Sequence, residues 1–394
     1  MICVIFGAGK IARGFIGHLL HLSGLPFVFV EKNDELADLI NDRGRYTVNV
    51  LGAPERSTTV KNARALKFSD REEIASAIAG AELVFTAVGG KNLAEIAPFL
   101  AQGIELRAKA ANPKSLNIIT CENWKQPAKF LREEIGKIIA PGAAGYLKEH
   151  TGAAEAVVMR SAIEPDAEAL ALDPLAVNVQ DYWELPVDAS GIAGVIPDFP
   201  GLKLTHDFAG FLERKFYTYN AANATVSYIG VLLGHKKIAD AAHDGRVLEI
   251  LYGVYEETSA ALSAKHNFPI EEQRAFAKTS LAKLQDRTIV DNIERNARDP
   301  IRKLGPDDRL VGSARLVLEH GLPPHNLATS IAAAIHYTEP ADPFAHELED
   351  MRNGEGVDAV LSNVCGLDPQ GELGALVKKK IGELKKRGWI LHER

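Results

Sequence analysis

A lysine and two asparagines stand at spacings that could run proton transfer: Lys215, Asn220 five residues on, and Asn223 three further. At about 100° per residue, Phe208, Phe211, Leu212, Tyr219, Ala222 and Val226 fall within roughly 60° of Lys215. The lysine therefore sits inside an apolar stripe, while Glu213 and Arg214 point away. Asn223 lies at the stripe's edge and Asn220 further round. An ammonium group facing a core must neutralise, pair or reach water, and burial pulls its pKa down towards neutrality. A neutral amine with amides in reach is what a general base and carbonyl-polarising donors require. The plain alternative is a snorkelling lysine whose stem packs and whose head reaches solvent.

A second constellation suits a dinucleotide. The apolar run 2–6 leads directly into Gly7-Ala8-Gly9-Lys10-Ile11-Ala12 and then into a helical pattern, which is G-x-G-x-x-A in the strand–turn–helix context that gives it meaning. Gly7 permits the turn, Gly9 lets a pyrophosphate approach the backbone, and Ala12 allows close helix–strand packing. The phosphates would rest on the helix N-terminus, beside Lys10 and Ile11. Glu31 closes the next apolar strand, where a carboxylate accepts from ribose hydroxyls and repels a 2′-phosphate, so NAD is expected over NADP. Lys32 follows and softens that preference.

Two further strand ends should reach the same crevice. Leu83–Val88 runs through Ala87 and Val88 into Gly89-Gly90, and Leu116–Cys121 leads to Glu122-Asn123, which places Asn123 near the nicotinamide. Gly89-Gly90 as a mere turn, and Asn123 as a helix N-cap, are the alternatives. Arg295, Arg298, Arg302 and Lys303 crowd one short segment. They form either an anion site, since guanidinium forks suit phosphate and carboxylate, or a surface salt-bridge cluster with Asp299, Asp307 and Asp308. The histidines show no ligand spacing, and no metal site is expected.

The elements that position these residues change character along the chain. Apolar β-branched runs dominate the first half, with later strands at Val157–Met159 and Ala176–Val179. Pro186 to Pro200 reads as a turn-rich connection, after which the pattern is helical: 207–230, 236–265, 270–284, 287–297, 307–319, 325–336, 342–351, 355–364 and 370–386. The expectation is an α/β chain with a Rossmann-type doubly wound sheet over 1–190 and a mostly helical substrate domain over 191–394. At 394 residues two domains are the prior. The net charge of −7 argues against nucleic acid as a partner. No run approaches the roughly 18 apolar residues of a membrane span. Three scattered cysteines, Cys3, Cys121 and Cys365, form no disulfide framework, and the cytoplasm is the expected compartment.

Seven segments together resemble the polyol-specific long-chain dehydrogenases, the mannitol dehydrogenase family, and most closely its mannitol-1-phosphate 5-dehydrogenase branch. They are FGAGKIARGFIG at 6–17, LVFTAVGGKNLAEIAPFLAQG at 83–103, LNIITCEN at 116–123, IPDFPGLKLT at 196–205, ERKFYTYN at 213–220, DPIRKLGPDDRL at 299–310 and LEHGLPPHNLATSIAAAIHY at 318–337. The resemblance implies zinc-independent, NAD-linked interconversion of mannitol 1-phosphate and fructose 6-phosphate by a monomer. It assigns Lys215 as general base, and Asn123 and Asn220 as amides that hold the reacting oxygen. Three positions depart from the family pattern. Asn223 stands where a histidine is usual, Met159 where an Asp precedes Arg160, and Lys283-Leu284-Gln285-Asp286 near the usual Arg-Phe-x-Asn-Pro. All three surround the substrate, so another polyol, polyol phosphate or hexuronate is the alternative. A NAD-binding sensor without turnover is the rival of a different class.

Overall fold

The computed structural model describes residues 2–111 and 113–390. Two compact units divide it, Met1–Phe208 and Ala209–Arg394.

In the first unit six strands form one parallel sheet: β1 (Cys3–Phe6), β2 (Phe27–Glu31), β3 (Ala65–Lys67), β4 (Leu83–Thr86), β5 (Leu116–Thr120) and β6 (Thr151–Glu155), in the order β3-β2-β1-β4-β5-β6. Continuous apolar strands suit such a sheet because both faces are covered. Alternate residues of β1 serve two cores, Cys3 and Ile5 on one face, Val4 and Phe6 on the other. The strand order reverses between β1 and β4, which puts a crevice at their carboxyl ends.

A second sheet pairs Thr58–Lys61, Arg45–Leu51, Val177–Gln180 and Ala162–Ile163. The helix after the glycine turn packs against it through a π-helical turn at Ala12–Gly17. A Cβ on Gly14 would lie 2.8 Å from the Cγ1 atoms of Val177 and Val179, and one on Gly17 would lie 2.6 Å from the Tyr46 hydroxyl. These two glycines set that approach.

Two expectations for this unit are corrected. Val157–Met159 is not a strand, though Val157 and Met159 are buried; β6 lies just before it, in the sequence Thr-Gly-Ala-Ala-Glu, whose weak β signal hid it. The stretch from Pro186 to Pro200 is not all turn, because Leu185–Asp188 pairs in parallel with Leu202–Thr205. That pairing holds the segment in the first unit, beyond the composition shift near residue 190.

The second unit is helical: α1 (Phe208–Lys215), a π turn (Phe216–Asn220), α2 (Ala221–Leu232), α3 (Gly245–His266), α4 (Ile270–Leu284), α5 (Val311–Glu319), α6 (His325–Ile335) and α7 (Glu372–Lys386), with short helices at Ile293–Ala297 and Pro300–Lys303. From Ala224 to Gly230 α2 is buried on every side, as a central helix must be. Its hydroxyls find partners: Thr225 Oγ1 lies 2.9 Å from Ser330 Oγ, and Tyr228 donates to the Ala297 carbonyl. The helix expected over 236–265 breaks at Asp244, whose carboxylate caps α3 by accepting from the Arg246 N–H.

Candidate functional site

In the first unit the residues expected to hold a dinucleotide converge on the β1/β4 switch point. Gly7 has a φ of +87°, and a Cβ there would lie 2.7 Å from the Ala87 carbonyl oxygen. Only glycine fits that turn. Gly9 differs, because a Cβ on it would meet nothing within 4 Å. That open side leaves room for a pyrophosphate against the backbone, so the turn fits a dinucleotide. Ala12 is fully buried against the core, and Ile11 packs partly against it. Glu31 reaches this turn: one carboxylate oxygen accepts from the Ala8 N–H at 2.6 Å, the other from Asn33 N–H at 2.9 Å. Lys32 pairs with Glu95 at 2.5 Å, and Lys10 with Glu164 at 3.3 Å.

The β4 end is tied down by a residue that sequence reasoning passed over. Glu122 accepts from the N–H groups of Val88 (2.9 Å) and Gly89 (2.8 Å), fixing the loop in which Gly89 takes a φ of +85°. Asn123 follows and is exposed. The helix after it begins at Pro127 with Gln126 at its N-cap, so capping does not account for Asn123.

In the second unit the π turn decides what the lysine can work with. A regular α-helix turns about 100° per residue, which would leave Asn220 well round from Lys215. Within Phe216–Asn220 the backbone closes over five residues, with Ala221 N–H donating to the Phe216 carbonyl. The wider turn carries Asn220 nearer the Lys215 face than a regular helix would. The helix α4 clamps the turn: Gln273 donates to the buried Thr218 hydroxyl at 2.9 Å and accepts from Arg214 at 2.6 Å, and Phe276 packs on Tyr219. Arg214 and Glu213 therefore do more than face solvent. Glu213 pairs with Lys265 at 2.8 Å and with His266 at 2.5 Å. Leu212 leaves the expected stripe and is 38% exposed.

Lys215 is half-buried and has no hydrogen-bond or ion-pair partner among the described residues. Burial lowers its pKa, and the Arg309 guanidinium lowers it further. Arg309 pairs with Asp308 at 2.8 Å and lies 5.3 Å from the centre of the Phe216 ring. Lys283 joins the same field; burial and the Lys215 charge bring it down to about 8. Sequence reading met Lys283 only as a departure and Arg309 only inside the segment 299–310. No spacing links either to Lys215, since α4 and the 304–310 segment reach it through the fold alone.

The four cations expected to bind anions have unequal freedom. Arg295 donates to Asp291 at 2.9 Å, and Arg302 to Asp299 at 2.7 Å. Lys303 is buried, its pKa brought down to about 8 by burial and by Arg309 and Arg302. Its ammonium donates to the carbonyls of Asn296 and Arg298. The Arg298 guanidinium is exposed with no hydrogen-bond or ion-pair partner among the described residues. Asn223 is half-buried and donates to the Asn296 side chain at 3.2 Å. Among the described residues no group of three His, Cys, Asp or Glu side chains could hold a metal ion.

Comparison with known proteins adds a family and two relatives of similar fold. A family model described as the mannitol dehydrogenase Rossmann domain matches residues 1–199, and one described as the mannitol dehydrogenase C-terminal domain matches 207–384. The fold is similar to that of a D-sorbitol dehydrogenase in substrate-free form, with a TM-score of 0.81 and 15% identity over 98% of this chain and 93% of that one. It is also similar to mannitol 2-dehydrogenase of Pseudomonas fluorescens in a ternary complex with NAD and D-mannitol, with a TM-score of 0.65 and 15% identity over 98% and 92%.

Proposed function

The chain belongs to the mannitol dehydrogenase family, and from that premise we propose that it is a NAD-linked oxidoreductase interconverting a polyol phosphate and a ketose phosphate, mannitol 1-phosphate and fructose 6-phosphate first among them. The observation that carries this reading is Lys215: a half-buried amine without an acidic partner, its pKa lowered by burial and Arg309, with a π turn carrying Asn220 nearer its face than a regular helix would. Burial and the Arg309 charge both favour the neutral amine, the form that takes a hydroxyl proton.

NAD supplies the hydride acceptor when bound. The remaining chemistry belongs to the chain. Gly7, Gly9 and Ala12 form the turn for the pyrophosphate, and Glu31 takes the ribose hydroxyls, exchanging its contact with the Ala8 N–H for them. Ala87, Val88 and Gly89, tied by Glu122, border the nicotinamide end. Lys215 removes the alcohol proton during oxidation and returns it during reduction. By resemblance Asn220 and Asn123 donate to the reacting oxygen, and amide donors stabilise the charge that develops there. This chemistry needs no zinc.

A second reading has an observation behind it. Arg295, Arg302 and Lys303 are engaged by Asp291, Asp299 and two carbonyls, which leaves Arg298 as the uncommitted cation of the four. An unphosphorylated polyol or a hexuronate would ask for less positive charge. The test is NADH oxidation across fructose 6-phosphate, fructose, other ketose phosphates and tagaturonate. Turnover highest on fructose 6-phosphate, reduced about tenfold or more in Arg298→Ala chiefly through KM, supports the phosphate reading. Equal turnover on fructose moves the substrate to the second reading. NADH binding without turnover on any compound overturns both.

A further inference from the structure

The segment 291–303 does something besides carry cations: it holds the amide of Asn223 in one orientation. Asn296 donates from Nδ2 to Asp291 Oδ1 at 2.7 Å and to the Asn292 carbonyl at 3.0 Å. A carbonyl can only accept, and so can a carboxylate paired with a guanidinium, as Asp291 is with Arg295. The NH2 of Asn296 must therefore face them. Its Oδ1 is left for Asn223, which has to turn its own Nδ2 towards it, and does so at 3.2 Å. The Oδ1 of Asn223 then points away from Asn296. The chain of obligate acceptors leaves no second arrangement.

The scaffold for this relay is fixed to the helix it serves. Tyr228 on α2 donates to the Ala297 carbonyl at 2.9 Å, and Lys303 donates to the Asn296 carbonyl at 2.7 Å. Upstream, Ile238 N–H donates to the Asp291 carbonyl and Ile293 N–H to the Lys236 carbonyl. Asn223 also stands three residues beyond Asn220, on the same side of the helix.

We propose that Asn296, with Asp291 behind it, is a positioning residue that makes Asn223 present its amide oxygen to the substrate, so that the site selects a polyol or ketose with a hydroxyl donor beside the reacting carbon. An imidazole can donate or accept according to its tautomer; this amide is held as an acceptor. The inference rests on the assignment of Lys215, Asn220 and Asn223 to the substrate site.

Two measurements test it. The first compares kcat/KM for fructose 6-phosphate with that for its 1-deoxy and 3-deoxy analogues, which lack one or other hydroxyl beside the carbonyl. In the wild type one analogue should be disfavoured by about tenfold or more, because a site built to bond a hydroxyl rejects its absence. Asn296→Ala and Asn223→Ala should each abolish that preference, and the double variant should lose nothing further. Preference unchanged in Asn296→Ala, or additive losses, overturns the inference while Lys215 chemistry stands. The second needs no turnover. In 15N-labelled protein the side-chain NH2 signal of Asn223 should move in Asn296→Ala and disappear in Asn223→Ala. A signal indifferent to Asn296 refutes the positioning even if the enzyme reading fails.

Discussion

At the scale of single residues the account depends on how burial and neighbouring cations lower lysine pKa values. Lys283 is depressed to about 8 from an ordinary 10.5, so between those values the unfolded chain binds more protons and stability rises with pH. Below about 8 the cost of the buried charge is present in full. Lys283→Met should therefore raise the melting temperature at pH 7 and flatten its rise between pH 8 and 10. The same change removes a like charge beside Lys215, so the pH at which alcohol oxidation reaches its plateau should move upward in initial-rate profiles. An unchanged profile would mean that Lys215 does not set it. Much of this scale was legible in the sequence: Lys215 among apolar neighbours, the glycine turn and Glu31 were all read there. Glu122, Asn296, Lys283 and Arg309 were not, because each acts through a partner that spacing along the chain cannot supply.

At the scale of elements the two π turns separate the sequence reading from the fold. Helical periodicity correctly put Phe208, Tyr219, Ala222 and Val226 in the core with the lysine between them. It also put Leu212 there, which is exposed although it lies in the regular helix before the π turn, and it left Asn220 aside because a constant 100° step cannot register an inserted residue. Deleting one residue from Phe216–Asn220 should restore a regular helix, preserve helical circular dichroism and cost at least about 10²-fold in kcat, the scale of a misplaced catalytic group. Full activity would show that the turn is incidental. The glycines of the first turn divide in the same way. Gly9→Ala meets open space and should fold normally while weakening NADH binding in fluorescence titration. Gly17→Ala meets the Tyr46 hydroxyl and should destabilise by about 1–3 kcal/mol in urea unfolding. The strand Arg45–Leu51 of the second sheet, where Tyr46, Val48 and Val50 alternate inward, has a period of two instead of a continuous apolar run.

At the scale of the whole molecule the division into an α/β unit and a helical unit was legible from the change of pattern near residue 190. Its position was not, because Leu185–Asp188 and Leu202–Thr205 pair across a segment that reads as turns. No helix among the described residues is long and apolar enough to cross a membrane, and the three cysteines are buried and unbridged. Reducing agent should thus leave the unfolding curve unchanged. NADH at a hundredfold excess over its Kd should add about 2.7 kcal/mol to unfolding, an increment that Gly9→Ala should diminish. The most direct test of the central claim, that Lys215 is the base of a polyol dehydrogenase, is a side-by-side assay of wild type and Lys215→Ala with NADH and fructose 6-phosphate, with NADH affinity measured in both. The account predicts equal NADH binding and a loss of about 10²–10⁴-fold in kcat/KM. Turnover that survives the substitution at neutral pH would contradict it.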